Sequence, residues 1–420
     1  MLSKSPPPTG YPEHRAVMER DRKLFGMSRN VFYAGVVSLF MDVSSEMIYP
    51  LVPLFLAGVL GVNKSMIGLI EGIAESTASV LKAYSGWLSD RLGRRKSLML
   101  LGYGISTLSR PIIALAGGWP QVLASRFVDR LGKGMRTAPR DAIIAESSEE
   151  ATLARSFSFH RSMDTMGAVA GPAFALLLLQ RQGSSYQTVF FLSMIPAIIA
   201  VLIIAAFIRE KGRPARVAGV RPKLTFRHFD WKARLFIVIA AIFALGNSSD
   251  AFLILRAGQL GIPTMMIPAL YLMFNLIYAF SAIPAGIAAD RFGKKRFILI
   301  GFVLFAGLYL GFAVAKTSTQ IWVLFALYGI FMGLTEGVQK AFLATIIPRE
   351  FKATAFGAYA TATGLATLPA SVIAGLLWDR VSPSATFCFG AAAAALSALL
   401  FIVLILSVRG EREPTNPAES

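Results

Sequence analysis

A chain of 420 residues with 55% apolar and only 16% charged residues is not an ordinary soluble domain, in which about a quarter of residues carry charge. Its formal net charge of +18 would suggest nucleic acid in a soluble protein. Here the charge is concentrated in short loops and inside the bundle, so membrane orientation accounts for most of it and no nucleic-acid partner is expected. The single cysteine, Cys388, rules out a disulfide within the chain and a metal–thiolate cluster.

Repeated apolar runs of about twenty or more residues set the class: an all-α polytopic membrane protein. Residues 1–29 are polar and rich in Pro and charge. They lack the short apolar core and small-residue cleavage site of a signal peptide, so the first helix is expected to remain as an anchor. Helices are predicted over 31–60, 66–88, 97–116, 121–145, 153–179 and 188–208. A basic stretch with Pro and Gly, 209–234, interrupts the series. Helices 7 to 12 follow over 235–257, 264–289, 296–315, 320–346, 353–377 and 385–408, and a polar tail begins at Arg409. The basic residues outside the helices lie in the N-terminal segment, the central stretch, the tail and the loops after helices 2 and 8. By the positive-inside rule both termini are cytoplasmic and the protein is a multi-pass component of the cytoplasmic (inner) membrane.

Those two loops repeat one pattern. Gly86 leads to Asp90-Arg91-Leu92-Gly93-Arg94-Arg95, and 200 positions later Gly286 leads to Asp290-Arg291-Phe292-Gly293-Lys294-Lys295. Gly93 and Gly293 permit a turn too tight for a side chain. The basic cluster marks a cytoplasmic surface, which would make the loops topology determinants in any case. The pattern G-x-x-x-D-R-x-G-[RK]-[RK], met twice in matching hydropathy contexts, resembles the signature loop of the major facilitator superfamily. That resemblance implies twelve helices in two six-helix halves, 30–208 and 235–408. They would be joined by a cytoplasmic linker, 209–234, and flanked by cytoplasmic segments 1–29 and 409–420. It also implies that Asp90, Arg91 and Arg94 latch the halves together on the cytoplasmic side, with the second copy in a lesser part.

Charge at bilayer depth costs about 2.5–3.5 kcal/mol per residue on insertion scales and normally faces water or an opposite charge. Helix 4 concentrates it: Arg126, Asp129, Arg130, Lys133, Arg136, Arg140 and Asp141 fall within an arc of roughly 140° and span about 21 Å. Such a stripe cannot face lipid. The run Arg126-Phe127-Val128-Asp129-Arg130-Leu131-Gly132-Lys133-Gly134 also resembles the superfamily's helix 4 motif R-F-x-Q-G-x-G-x-G, with Arg126, Gly132 and Gly134 matching. Counter-charges stand at one-turn spacing: Asp42 and Glu46 in helix 1, Glu71 and Glu75 in helix 2, His160 and Asp164 in helix 5. The second half has fewer: Asp250, Arg256, Glu336 and Lys340. Ser248-Ser249-Asp250 in helix 7 parallels Ser44-Ser45-Glu46 in helix 1. Helix 5 adds Gly167-x-x-x-Gly171-Pro172, which resembles the end of the motif shared by the superfamily's drug/proton antiporters.

Two readings of the buried charges stand open: ion pairs that fix packing, or a cavity that binds a solute and exchanges protons. The expected function is a secondary transporter, a monomer and not an enzyme, that moves a small anionic or zwitterionic solute by alternating access. Asp42, Glu46, Arg126, Asp129, Arg130, Lys133, Arg136, Arg140, Asp164, Asp250 and Glu336 would line the translocation cavity. Glu46, Asp42 and Asp129, then Glu71 and Glu75, are the candidates to carry a coupling proton, with no other cofactor and no resident metal. Efflux by proton antiport is the first expectation. The alternatives are uptake by proton symport, transition-metal transport through Asp42, Glu46, His160 and Asp164, and a non-transporting membrane sensor of the same fold.

Overall fold

The computed structural model describes residues 24, 27–92, 94–148, 153–182, 186–210, 230–335, 338–347 and 352–410. Among them the regular elements are all helices, apart from an isolated bridge between Leu24 and Met27. The helices are α1 (Arg29–Val59), α2 (Lys64–Leu92), α3 (Arg95–Ala114), α4 (Trp119–Glu146), α5 (Leu153–Gln182) and α6 (Tyr186–Phe207). The second set is α7 (Trp231–Gln259), α8 (Ile267–Phe292), α9 (Lys294–Val314), α10 (Ser318–Thr335 with Val338–Ile346), α11 (Lys352–Arg380) and α12 (Pro383–Gly410). Nine of these are long and apolar enough to cross a membrane. The other three, α2, α3 and α4, are as long but carry buried charge, Glu71, Arg110 and Arg126 among it.

α6 is interrupted only at Ser193, but α1 and α7 are broken over several residues. α1 runs to Ile48, turns at Tyr49-Pro50-Leu51 and resumes at Val52, ending in a π-helical turn over Phe55–Val59. Pro50 and Pro53 explain the break, because each lacks the N–H that the helical ladder needs. α7 stops at Gly246 and restarts at Ala251. The residues between are Asn247, Ser248, Ser249 and Asp250, short polar side chains that compete for the backbone's hydrogen bonds. Ser371 Oγ accepts the amide of Ser249 at 3.3 Å, and Ser249 Oγ accepts that of Ala251 at 3.3 Å. From sequence both helices are expected to be continuous, with Ser44-Ser45-Glu46 the counterpart of Ser248-Ser249-Asp250. The structure separates the two: the first motif is fully helical, while the second is where the helix opens.

Within the first half α1 packs on α5, α3 on α4 and α2 on α4; within the second, α9 packs on α12, α8 on α10, and α7 on α11 and α12. The second half has an aromatic core, with Phe243 4.8 Å from both Phe302 and Phe305 by ring centroid. Arg256, one of its few buried charges, donates to the carbonyls of Phe312 (3.1 Å) and Ala315 (2.9 Å). It thereby satisfies the orphan acceptors at the end of α9, a structural task that suits a cation there.

The halves meet along α2 with α11 and α5 with α8. Gly68 lies against the carbonyl of Ser371, Gly72 against Leu368, Gly375 against Lys64 and Gly364 against Ser79. Small residues let the two backbones approach this closely. Toward the α2–α3 loop Val80 and Tyr84 are 47% and 55% exposed. At the opposite end Asp379 closes the seam by accepting the amides of Lys64 (3.1 Å) and Ser65 (2.6 Å). Gly293 turns between α8 and α9 with φ +99°, a conformation that favours glycine and accounts for the tightness of that loop. The side chains of Asp90, Arg91 and Asp290, with Gly86 and Gly286, lie outside the described residues, as do Gly93 and Glu336; Arg94 and Arg291 are exposed.

Candidate functional site

A cavity of about 310 Å³ lies where the halves meet at mid-depth. From the first half it is lined by Asp42, Ser45, Glu46 and Tyr49 of α1, Glu75 of α2, Arg110 of α3 and the stripe of α4 from Ser125 to Arg136. The second half contributes Asn247 to Asp250 from the break in α7, with Tyr271, Tyr328, Met332, Thr367 and Ser371. Of the residues expected to line it, Asp42, Glu46, Arg126, Asp129, Arg130, Lys133, Arg136 and Asp250 do so. Arg140 and Asp164 do not: Arg140 pairs with its neighbour Asp141 at 2.8 Å, and Asp164 faces His160 at 3.5 Å.

Most of the α4 stripe is already neutralised. Arg126 makes a bidentate pair with Glu71, at 3.0 and 2.6 Å, and its guanidinium sits 5.4 Å from the Tyr49 ring centre. Arg130 meets Glu75 at 2.9 Å. Asp129 meets Arg110 at 3.3 Å, and Arg110 also donates to Ser44 and Ser45, each at 2.9 Å. Arg136 donates to Ser106 at 2.7 Å and lies 4.5 Å over the Tyr103 ring. Arg110 is not among the residues expected from sequence: α4 stands out by its stripe of seven charges, whereas Arg110 is a single cation in the apolar run of α3. Gly132 and Gly134 seat the stripe, Gly132 against Ser106 of α3 and Gly134 against Leu81 of α2.

Five charged groups on the cavity wall lack an ion pair among the described residues; one is Arg136, held instead by Ser106 and Tyr103. Among the described residues no ion pair reaches Asp42, Glu46, Asp250 or Lys133. Glu46 Oε2 is shut off from solvent with no hydrogen-bond donor. Asp250 receives one bond, from the Tyr328 hydroxyl at 3.0 Å. Lys133 is exposed to the cavity. The two α1 acids are held by the α5 motif: a methyl at Gly167 would come within 2.7 Å of Asp42 Cβ, and one at Gly171 within 2.7 Å of Glu46 Cβ. Pro172 follows within the same helix. No group of three or more His, Cys, Asp or Glu side chains among the described residues is placed to hold a metal ion.

Two helical halves around a polar cavity, joined at one end by Asp379, are the architecture of a membrane transporter. The sequence profile of the Major Facilitator Superfamily matches residues 34–271 and again 235–420. An MFS-type transporter of Methanocaldococcus jannaschii is 37% identical over 396 residues, covering 92% of this chain and 96% of its own. The chain belongs to the Major Facilitator Superfamily. It is also 26% identical, over 87% of its length and 93% of the relative's, to a multi-drug resistance efflux pump homologue of Lactococcus lactis. Among solved structures, a POT family transporter in complex with 5-aminolevulinic acid shares the fold with a TM-score of 0.76 at 12% identity, over 94% of this chain and 99% of that one. A bacterial homologue of the lysosomal transporter Spinster, captured facing inward, matches with a TM-score of 0.71 at 15% identity, over 97% and 100%.

Proposed function

We propose that the protein is a proton-coupled antiporter that exports a small charged solute across the cytoplasmic membrane by alternating access. The observation that carries this reading is the residue of charge on the cavity wall. Three arginines each have a carboxylate, yet Asp42, Glu46 and Asp250 face the same space without a cation in contact. An unpaired carboxylate at bilayer depth is costly and marks a proton or solute site. Asp42 and Glu46 carry the exchanged proton, held at fixed depth by the glycines of α5. The solute enters from the α2–α3 end, which faces the cytoplasm in this reading because its loops are the basic ones. Similarity to the multi-drug resistance efflux pump homologue of L. lactis supports the direction.

Of the two solute classes expected from the sequence, a zwitterion suits the cavity better than a simple anion. Arg110, Arg126 and Arg130 are already committed to carboxylates, and Arg136 is bonded to Ser106 and covered by Tyr103. That leaves Lys133 as the cation open to a solute's acidic group.

The test is a flux assay on the full chain in proteoliposomes loaded with a pH-sensitive dye and offered panels of amino acids, amines and organic acids. A solute that the protein carries should move protons in the opposite direction. Asp42→Asn should abolish that movement while leaving exchange of labelled for unlabelled solute. Absence of solute-dependent proton movement across all three panels would sink the antiport reading.

A further inference from the structure

The cavity's charge balance is opposite to that of the chain. Counting Glu71, which holds Arg126, six carboxylates stand around the cavity against five cations. The surplus is also localised. Glu46 on α1 and Asp250 at the break in α7 belong to different halves, face the same cavity and lie within electrostatic reach of one another. Around them stand three tyrosines. Tyr49 and Tyr271 are 5.7 Å apart by ring centroid, and Tyr328 binds Asp250 through its hydroxyl. Phe274 ties the set together, 5.3 Å from Tyr271 and 5.5 Å from Tyr328.

We infer that this corner of the cavity is an ammonium site, in which Glu46 and Asp250 bind a solute's cationic nitrogen from opposite halves while Tyr49, Tyr271 and Tyr328 wall it in. Two observations beyond acidity support it. Glu46 Oε2 is buried and lacks any donor, so it holds an unused acceptor. The Tyr271 ring supplies what carboxylates alone do not: its quadrupole attracts an ammonium and still accommodates alkyl groups. Tyr49, which faces Arg126, and Tyr328, stacked on Phe274 and Phe331, bound the corner. A divalent metal ion, which takes several oxygen or nitrogen ligands, is poorly served by two carboxylates and ring faces. The inference rests on the transport reading and names the chemistry of its solute.

A protonated carboxylate cannot pair with an ammonium, so proton and solute compete for Glu46. The groups that bear on that competition are Asp42 on its own helix, Arg130 and Lys133 of α4, Asp250 of α7 and Tyr271 of α8. Binding of a cation should therefore strengthen as pH rises, and a proton taken up on one side should eject the solute on the other.

The experiment is calorimetric titration of the purified full-length protein, in nanodiscs at pH 8, with three probes of one shape. These are 2-phenylethylammonium, neutral 2-phenylethanol and anionic 3-phenylpropanoate. The ammonium should bind saturably, and the other two should not. Glu46→Gln and Asp250→Asn, which preserve shape, should each weaken it by at least about tenfold, as expected for loss of a charge-assisted bond. Gly104→Ala, outside the cavity and with nothing within 4 Å, should leave it within about threefold. Tyr271→Leu, with no change in charge, should weaken it as well, which keeps the site testable if a carboxylate variant fails to elute as a single species. Failure of the ammonium to bind the wild-type protein, or binding untouched by the Glu46, Asp250 and Tyr271 changes, overturns the site. So does preferential binding of the carboxylate probe that is lost with Lys133→Gln. The transport reading fails separately. Ammonium binding without proton-linked flux keeps the site and removes antiport; proton-linked flux of an anion, with no ammonium binding, does the reverse.

Discussion

Asp379, at the end of α11, accepts the backbone amide of Ser65, at the start of α2, at 2.6 Å. The same carboxylate takes the Ser65 hydroxyl at 2.6 Å and the amide of Lys64 at 3.1 Å. An acid of one half therefore caps a helix of the other, satisfying donors that the helix cannot and meeting the positive end of its dipole. The contact exists only while that end is shut.

Asp379→Ala should shift the population toward the state open at that end. Loss of a cap costs about 1 kcal/mol, or about fivefold in a two-state equilibrium. A cysteine replacing Lys133, in a Cys388→Ser background, would report the shift through faster reaction with a membrane-impermeant thiol reagent added on the α11–α12 loop side. An unchanged rate there would show that the cap does not govern opening.

The Arg126–Glu71 pair makes a different prediction, about stability. Both side chains are buried, so Glu71→Gln leaves a guanidinium without its counter-charge and should destabilise the protein by about 3–5 kcal/mol. The double variant Glu71→Gln, Arg126→Gln should recover much of the loss. Melting of the detergent-purified protein reads both. Equal melting temperatures for the single variant and the wild type would mean that the pair is not formed.

The α5 glycines offer a steric test. Gly171→Ala places a methyl 2.7 Å from Glu46 Cβ and 2.8 Å from the carbonyl of Val43, so α1 must move away or strain. Overpacking of this kind costs about 1–3 kcal/mol. Gly104→Ala, with nothing within 4 Å, should be silent. Proton-linked flux should fall in the first variant and persist in the second.

How far the sequence carried can be read from particular residues. The repeated loop and the apolar runs led to the superfamily and to helix positions within a few residues, because both are local properties of the chain. The α4 stripe was legible for the same reason: charge in an apolar context stands out. Which arginine meets which acid was not legible, since Arg126 reaches Glu71 and Asp129 reaches Arg110 only after three helices have packed. The stripe that from sequence suits an anion is therefore, in large part, a set of internal pairs. The break in α7 escaped because Asn247 to Asp250 sit between apolar segments that any hydropathy window joins. Asp379 escaped because capping across the halves depends on a tertiary approach that no spacing encodes.

The opened backbone of α7 has one more consequence. Glu46 is fixed to a rigid helix pair through Gly171, whereas Asp250 hangs on four residues that are held by side chains rather than by a helical ladder. In the proposed cycle the two acids ride on opposite rigid bodies, so their separation changes whenever the halves rock. Cargo that bridges them is then a removable pin: seated, it fastens the halves at one spacing, and the proton that displaces it frees the machine to rock back.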